Sequence, residues 1–377
     1  MDEPSARREF LNPIKAIRAF REESAEQDLQ VPTLDADVDG SRDDDCLLYV
    51  ARQAMACTFQ VYFATRYGDG MTEAAIEALE LVEQLENQMT VYRSSPLTHI
   101  NETAGKEPIR VESRLFDLLQ KGIELYQKTG GAFDMTSGLL TRAWGFFRKE
   151  GRIPNEQELE SVLQSVGSDK VHLDAGRQTV AYASSDLEIN LGGIGKGYAL
   201  DRVAECLEES GSEHFLIHGG QSSVLARGDR LIPEENHTGE GRENTRRTPW
   251  KVGLRHPVHA DRRIAEIVIN NRALGTSGTA RQSFYYQGRK YGHIIDPRTG
   301  QPCSGVYSAT ALAPTAAEAD ALATAFYVMG GAAATDFCRR FPAYACLVLS
   351  PGKGGKVRMD REGLADEEVL FPERASE

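Results

Sequence analysis

The chain has 377 residues, of which 41% are hydrophobic and 26% charged, and its formal net charge is −13. This composition is that of a globular protein with a sizeable core, in one large or two modest domains. The negative charge disfavours nucleic acid or an anionic membrane surface as the main partner, because like charges repel at long range. Six cysteines lack CxxC spacing, which suits neither a zinc site nor a dense disulfide framework, so packed, reduced thiols are expected.

The polar N-terminal residues 1–45 are predicted to form a loosely ordered arm with one short helix around residues 13–23. No apolar run in this arm resembles a signal-peptide core, and no later stretch approaches the roughly 20 apolar residues of a membrane span. We therefore expect a cytoplasmic protein without a membrane span; a periplasmic location would require that a leader had been trimmed. Residues 46–377 are predicted to form the folded domain, with a polar surface insertion at about residues 234–248.

The folded part opens with a predicted strand at residues 55–63 and a helix at residues 72–89, whose apolar side chains recur at helical spacing. Further helices are predicted at residues 113–129 and 196–210, and glycines follow both. The remaining predicted strands are residues 171–173, 187–191, 215–218, 250–255 and 265–269. This mixture predicts an α/β fold, but the pattern does not fix the strand order.

Residues 187–201 pass from a predicted strand through a glycine-rich turn into a helix. Backbone N–H groups in such a turn and at a helix N-terminus favour a bound phosphate, and Lys196 would add a full positive charge. The glycine spacing is neither that of a Walker A loop nor that of the dinucleotide-binding fingerprint. Taken alone, the segment is explained equally well as a tight connection with an exposed lysine.

Thr315 and Glu318 have the spacing of a capping box, so a helix is predicted to begin near Ala316. Asp320 and Thr324 are then four residues apart and share one face of a mostly apolar helix. Two oxygen donors on that face would form part of a site for a hard cation such as magnesium. The alternative is an aspartate that faces solvent and a threonine bonded to its own helix carbonyl.

A tight turn is predicted within residues 293–300, where Pro-Arg-Thr-Gly follows two isoleucines and an aspartate. His293 and Asp296 then lie where a strand end meets a loop, a usual location for proton transfer or ligand orientation. The alternative is that both residues are structural. Upstream, Ser277 belongs to a Gly-Thr-Ser-Gly loop that offers hydroxyl groups.

Several aromatic residues suit a planar ligand. Tyr92 lies where a helix gives way to a loop, so its ring would be able to stack on such a ligand. Phe133, Trp144 and Phe146 would line the same pocket. Burial in the hydrophobic core is the alternative for each of these residues.

Taken together and in this order, the segments resemble the FAD:protein FMN transferases of the ApbE family, over about residues 55–330. The most specific pieces are the glycine loop, Thr-Ser-Gly at residues 276–278, residues 293–300 and Ala-Asp-Ala-Leu-Ala-Thr at residues 319–324. Weaker pieces are Met-Thr-Val-Tyr at residues 89–92, Gly-Ala-Phe-Asp-Met-Thr at residues 131–136 and Gly-Gly at residues 219–220.

The resemblance implies a tunnel-fold-like α/β (α+β) domain with mixed or antiparallel sheets and flanking helices. It also implies an enzyme that binds FAD and uses Mg²⁺ to transfer FMN to a Thr or Ser hydroxyl of a partner flavoprotein, releasing AMP. Two alternatives remain: an FAD pyrophosphatase that gives FMN and AMP, and a non-catalytic flavin-binding protein.

By the same resemblance, Asp320 and Thr324 map to metal ligands, and a backbone carbonyl of Gly193 completes the set. His293 and Asp296 map to the reaction centre. The residues expected to contact FAD are Tyr92, Asp134, Thr136, Gly193, Lys196 and Ser277. The chain departs from the usual family pattern at Ala56, Cys57, Asn190, Thr279 and Ala280.

Overall fold

The structure is a computed structural model, and it describes residues 47–148, 150–233, 245–259, 261–278 and 283–372. The helices in this part are α1 (Gly68–Met89), α2 (Pro96–Thr103), α3 (Ser113–Thr129), α4 (Gly138–Ala143), α5 (Glu156–Ser165), α6 (Gly195–Glu209), α7 (Ala316–Met329) and α8 (Gly331–Arg340). The strands are β1 (Leu47–Ala54), β2 (Cys57–Ala64), β3 (Ile109–Arg110), β4 (Val171–Asp174), β5 (Thr179–Tyr182), β6 (Phe215–Gly219), β7 (Ser223–Arg227), β8 (Arg230–Pro233), β9 (Thr245–Thr248), β10 (Trp250–Arg255), β11 (Arg263–Ile269), β12 (Ala273–Gly278), β13 (Ser283–Tyr286), β14 (Arg289–Gly292), β15 (Ser308–Ala313), β16 (Ala345–Pro351), β17 (Val357–Glu362) and β18 (Val369–Leu370).

An eight-stranded sheet in the order β1-β2-β6-β7-β12-β15-β16-β17 forms the centre of the fold. Every neighbouring pair in it is antiparallel. Helices α1, α6 and α7 pack on one face through the largest hydrophobic cluster, and a three-stranded sheet of β10, β11 and β18 covers the other face. The α/β fold with antiparallel sheets and flanking helices is therefore confirmed.

The alternation of side chains along the central strands explains why both faces are covered. In β6, Phe215 and Ile217 enter the helix-facing cluster, while Leu216 between them enters the cluster under the second sheet. Successive residues of a strand point to opposite faces, so an unbroken apolar run belongs to a strand buried on both sides. The same alternation directs Ala273 of β12 towards the helices and Leu274 away from them.

A smaller hydrophobic cluster supports the turn at residues 293–300. It contains Leu140, Trp144, Phe146, Leu159, Val166 and Ile295. Trp144 Nε1 donates a hydrogen bond of 2.8 Å to the carbonyl oxygen of Gly300. Trp144 and Phe146 therefore pack in this satellite core, the alternative that the sequence left open for them.

Helix positions followed the sequence closely, whereas two strand predictions were wrong, one over its whole length and one at its start. The predicted strand at residues 187–191 is irregular, and the N–H of Asn190 bonds instead to the carbonyl of Met135. The strand predicted at residues 55–63 begins only at Cys57, because Met55 and Ala56 form the β1–β2 turn with φ of 50° and 56°.

The predicted surface insertion at about residues 234–248 lies only partly within the described residues and stays a prediction. Residues 245–248 are strand β9, which pairs with β8, and residues 234–244 lie outside the described part. The arm predicted for residues 1–45 also lies outside it, as do Thr279 and Ala280. Within the described part, no helix has the length and apolar character that crossing a membrane requires.

Candidate active site

Helix α7 carries the pair of residues predicted to bind metal, and it begins at the predicted residue. The Thr315 side chain accepts a hydrogen bond from the N–H of Glu318 and caps the helix. Asp320 is only 5% exposed, and Thr324 follows one turn later on the same face. The aspartate therefore does not face solvent, which removes the simpler alternative for this residue.

The glycine loop and a central strand hold the Asp320 carboxylate. Its Oδ2 accepts a hydrogen bond of 3.1 Å from the Gly197 N–H and lies 3.6 Å from Lys196 Nζ. Its Oδ1 accepts a hydrogen bond of 3.0 Å from Ser223 Oγ. The predicted metal ligand and the predicted phosphate loop thus meet. Ser223 was missed, because a serine 97 residues away leaves no local signal in the sequence.

Two glycines allow α7 to approach its neighbours at backbone distance. A Cβ on Gly197 would lie 2.0 Å from the Ala316 carbonyl oxygen, and a Cβ on Gly275 would lie 2.4 Å from that of Ala319. Any side chain at either position would clash with main-chain atoms. These glycines fix how deeply α7 sits between α6 and β12, and therefore where Asp320 lies.

Asp201 on α6 fixes the start of α7. Its carboxylate oxygens accept hydrogen bonds of 2.7 and 2.8 Å from the N–H groups of Ala316 and Ala317. The first N–H groups of a helix have no acceptor within their own helix, and here an aspartate from another helix supplies the acceptors. Burial raises the pKa of Asp201 to about 6, although the two hydrogen bonds oppose the rise.

The Thr324 hydroxyl lies beside a second hydroxyl and the glycine loop. Its Oγ1 is 3.1 Å from Ser277 Oγ, compared with 3.5 Å from the Asp320 carbonyl oxygen of its own helix. A Cβ on Gly193 would lie 3.9 Å from Thr324 Oγ1, so the loop backbone passes close to the pair. Asp320, Thr324, Ser277 and the Gly193 segment therefore converge.

This donor set fits magnesium held jointly by protein and phosphate. It consists of one carboxylate, two hydroxyl groups and nearby backbone, all oxygen donors of the kind that hard cations prefer. Among the described residues, no three His, Cys, Asp or Glu side chains gather into a possible metal site. Water and phosphate oxygens would supply the remaining ligands, which is usual for magnesium.

The glycine loop is shaped by Asn190, one of the departures from the family pattern. Its Oδ1 accepts a hydrogen bond of 2.9 Å from the Gly192 N–H. Helix α6 then begins at Gly195, and Lys196 in its first turn keeps its side chain 26% exposed beside the carboxylate of Asp320. A helix N-terminus and a lysine at this position would attract an anionic ligand.

Asp134 and Thr136 form a buried internal network. Asp134 Oδ1 accepts hydrogen bonds from Thr136 Oγ1 at 2.7 Å and Ser168 Oγ at 2.6 Å. Thr136 Oγ1 in turn accepts from the Gly167 N–H at 2.7 Å. Burial raises the pKa of Asp134 above its ordinary value, while these hydrogen bonds counter the rise. The two side chains thus fix the backbone of residues 131–136 to residues 167–168.

The predicted turn at residues 293–300 is closed by hydrogen bonds that Asp296 accepts. Its carbonyl accepts from the Gly300 N–H at 2.8 Å. Its carboxylate receives both arms of the Arg298 guanidinium, Nε at 2.8 Å and Nη2 at 2.7 Å. His293 is half-buried, and its ring lies 6.4 Å, edge to face, from that of Phe146.

Residues 131–133 connect the turn with the glycine loop. A Cβ on Gly131 would lie 3.4 Å from the Arg298 side chain, and a Cβ on Gly193 would lie 3.4 Å from the Phe133 ring. The segment therefore contacts Arg298 at one end and the loop beside Thr324 at the other. Phe133 itself is 3% exposed, so it packs in the core next to the loop.

Tyr92 follows the end of α1 and is 74% exposed. Its ring stacks on that of Phe147, with centroids 4.8 Å apart and an interplanar angle of 19°. Phe147 was not singled out from the sequence, because an aromatic residue in a loop carries no sign of its stacking partner.

Comparison with known proteins finds relatives over most of the chain. The profile of the ApbE family matches residues 55–348. The FAD:protein FMN transferase of Klebsiella pneumoniae is 30% identical over 302 residues, which are 77% of this chain and 82% of that protein. Its counterpart from Treponema pallidum is 30% identical over 305 residues, 79% of this chain and 82% of that protein.

Solved structures give the same result. The crystal structure of the ApbE protein from Thermotoga maritima matches with a TM-score of 0.70 and 28% identity, over 83% of this chain and 96% of that one. The flavin transferase ApbE from Vibrio cholerae matches with a TM-score of 0.69 and 26% identity, over 84% and 97% of the two chains. The profile match and the two relatives at 30% identity establish that this chain belongs to the ApbE family.

Proposed function

We propose that this chain is an FAD:protein FMN transferase, which uses Mg²⁺ to move FMN from FAD to a Thr or Ser hydroxyl of a partner flavoprotein and releases AMP. The names of its relatives support the activity. The observation that carries the proposal is the buried Asp320 carboxylate, which meets the glycine loop through Gly197 and Lys196. A carboxylate, an anion-binding loop and a lysine together suit a metal-bound diphosphate.

Asp320 and Thr324 would hold the metal ion, together with a backbone carbonyl of Gly193. A magnesium ion held there would supply positive charge beside the diphosphate, which would lower the cost of the negative charge that develops on the phosphate oxygens. The N–H groups of the glycine loop and the Lys196 ammonium would bind the same anion from the protein side. Ser277 would support Thr324 through the 3.1 Å contact between their hydroxyl oxygens.

The reaction itself is a phosphoryl transfer. The oxygen of the acceptor hydroxyl forms a bond to the FMN phosphorus, and the phosphoanhydride bond to AMP breaks. His293 would take the hydroxyl proton, since imidazole titrates near neutral pH. Asp296 would orient the turn that carries His293, because Arg298 already binds both of its carboxylate oxygens. Much of the acceleration would come from holding the hydroxyl in line with the phosphorus.

The remaining predicted FAD contacts divide into direct and indirect ones. Tyr92 offers an exposed ring to the flavin. Asp134 and Thr136 would act mainly through the backbone of residues 131–136, because their side chains bond to each other and to residues 167–168. This segment contacts both the glycine loop and Arg298, so its shape would set the width of the FAD site.

The test is incubation of the purified protein with FAD, Mg²⁺ and a panel of candidate acceptor flavoproteins, followed by intact-mass measurement. An acceptor that gains the mass of FMN, with one AMP released per adduct, is the expected result. Release of free FMN and AMP without any adduct would instead identify an FAD pyrophosphatase. FAD binding without turnover would identify a flavin-binding protein.

A further inference from the structure

Tyr92 is the outermost member of a three-layer stack. The Arg142 guanidinium lies 3.8 Å from the centroid of the Phe147 ring. The Phe147 ring stacks in turn on Tyr92, with centroids 4.8 Å apart. Arginine over an aromatic face and offset ring pairs are both favourable arrangements. The order of the layers is therefore guanidinium, phenyl ring and phenol ring.

The inner end of this stack is fixed to the segment that leads into the glycine loop. Arg142 Nη2 donates to Glu188 Oε1 at 2.8 Å and Arg142 Nε donates to Glu188 Oε2 at 3.1 Å. A bidentate pair of this kind fixes both the position and the plane of a guanidinium. Glu188 is two residues before Asn190, whose side chain shapes the loop.

The outer end of the stack is open. Tyr92 remains 74% exposed although Phe147 covers one of its faces. The backbone of Tyr92 is held at the end of α1, since its N–H donates to Thr90 Oγ1 at 3.3 Å. A planar ligand therefore finds a ring whose position is already set on one side and whose other side faces solvent.

We propose that Phe147 and Arg142 are positioning residues, which hold the Tyr92 ring so that the isoalloxazine of a flavin stacks on its open face as a fourth layer. The identity of the ligand rests on the proposed function; the stack itself does not. Because the ring is already held before the ligand arrives, binding loses less side-chain conformational entropy. Loss of the Phe147 ring should therefore weaken flavin binding roughly fivefold, the size expected for one aromatic pair.

The experiment is a titration with FMN, followed by flavin fluorescence, on the wild type and single variants. FMN lacks the AMP leaving group, so binding is measured without turnover. We expect the Kd for FMN to rise roughly fivefold in Phe147→Leu and in Arg142→Gln. In Phe147→Tyr, which keeps an aromatic ring, the Kd should equal that of the wild type. The control is Arg152→Gln. Arg152 lines a surface pocket of about 260 Å³ together with Arg142 and Phe147, but it pairs with Glu158 rather than with Glu188.

Steady-state kinetics with FAD separate positioning from chemistry. In Phe147→Leu the KM for FAD should rise while kcat stays near the wild-type value, because the Asp320 centre is untouched. An unchanged Kd in both Phe147→Leu and Arg142→Gln overturns the proposal. A tighter Kd in Phe147→Leu also overturns it, since Phe147 would then occupy the place of the flavin.

The outcomes also separate this proposal from the transferase. If Tyr92→Leu and Phe147→Leu both weaken FMN binding but no acceptor is modified, the positioning role of the stack is supported and the proposed transferase activity is contradicted. If adducts form while both variants bind FMN as the wild type does, the stack is overturned and the transferase stands.

Discussion

Asp320 is the residue on which the candidate chemistry depends most. Its carboxylate accepts hydrogen bonds from Gly197 and Ser223, lies 3.6 Å from the Lys196 ammonium and is buried. Asp320→Asn keeps the size of the side chain but removes the charge that a cation requires. We expect Mg²⁺-dependent FMN transfer to fall roughly hundredfold, which corresponds to a loss of about 2.7 kcal/mol of charge stabilisation in the transition state.

The matched control for that substitution is Asp336→Asn on the next helix. The Asp336 side chain is 69% exposed and pairs with Arg339, so its charge lies in solvent and its loss should leave transfer unchanged. Both variants should give the wild-type circular dichroism spectrum. Full activity in Asp320→Asn would remove the proposed metal site.

His218 makes a separate prediction about pH. It is 5% exposed on β6, its Nε2 pairs with Gln60 Oε1, and its Nδ1 has no hydrogen-bond partner among the described residues. Burial lowers the pKa of His218 from 6.5 to about 4. The unfolded chain therefore binds a proton between pH 6.5 and pH 4 that the folded chain does not, so acidification through this window destabilises the fold.

His218→Gln should remove that dependence. On acidification from pH 6.5 to pH 4, the wild type should lose roughly 3 kcal/mol more unfolding free energy than the variant does. This value follows from the size of the pKa shift of His218. Asp201 acts in the opposite direction, because its raised pKa favours the folded state on acidification from pH 6. The free energy of unfolding in urea is measured against pH for the wild type and His218→Gln, and the difference between the two curves isolates the contribution of His218. Parallel curves would contradict its role.

At the scale of elements, local signals predicted α7 well and the strand at residues 187–191 wrongly. The capping residues and the apolar run of α7 are contiguous in sequence, so the helix start and the shared face of Asp320 and Thr324 were accessible. A strand also needs a partner, and residues 187–191 have none among the described strands, since the N–H of Asn190 bonds to Met135. Gly197, Gly275 and Asp201 were missed because their contacts cross between elements distant in sequence.

The close packing of α7 gives a prediction for the glycine contacts. Gly197→Ala would place a Cβ 2.0 Å from the Ala316 carbonyl oxygen, so the two helices must separate. We expect a loss of roughly 3 kcal/mol in the free energy of unfolding, typical of overpacking a buried contact. Gly70→Ala in α1 is the control, because a Cβ there would have no atom within 4 Å apart from its chain neighbours and its own helix backbone, and helix propensity favours alanine. Equal stability of the two variants in urea would show that α6 and α7 tolerate separation.

At the scale of the whole molecule, the candidate site is assembled by segments that the central sheet brings together. Ser223 of β7 and Ser277 of β12 lie on strands that are neighbours in the sheet but separated by about 50 residues of chain, including the whole of β10 and β11. Helix α7 lies across these strands, and the glycine loop meets it at Gly197. Only the folded sheet creates this site, so a ligand that binds it must stabilise the entire domain.

This linkage predicts how FAD and Mg²⁺ act together on thermal unfolding. Because the diphosphate would supply part of the metal coordination, Mg²⁺ alone should change the melting temperature little, FAD alone should raise it, and both together should raise it most. At a hundredfold excess over Kd, binding adds about 2.7 kcal/mol, or a few degrees for a domain of this size. Melting followed by circular dichroism measures each increment.

In Asp320→Asn, the increment from adding Mg²⁺ to the FAD complex should vanish while much of the FAD increment survives, because the Tyr92 stack and glycine loop remain. An undiminished Mg²⁺ increment in that variant would place the ion elsewhere.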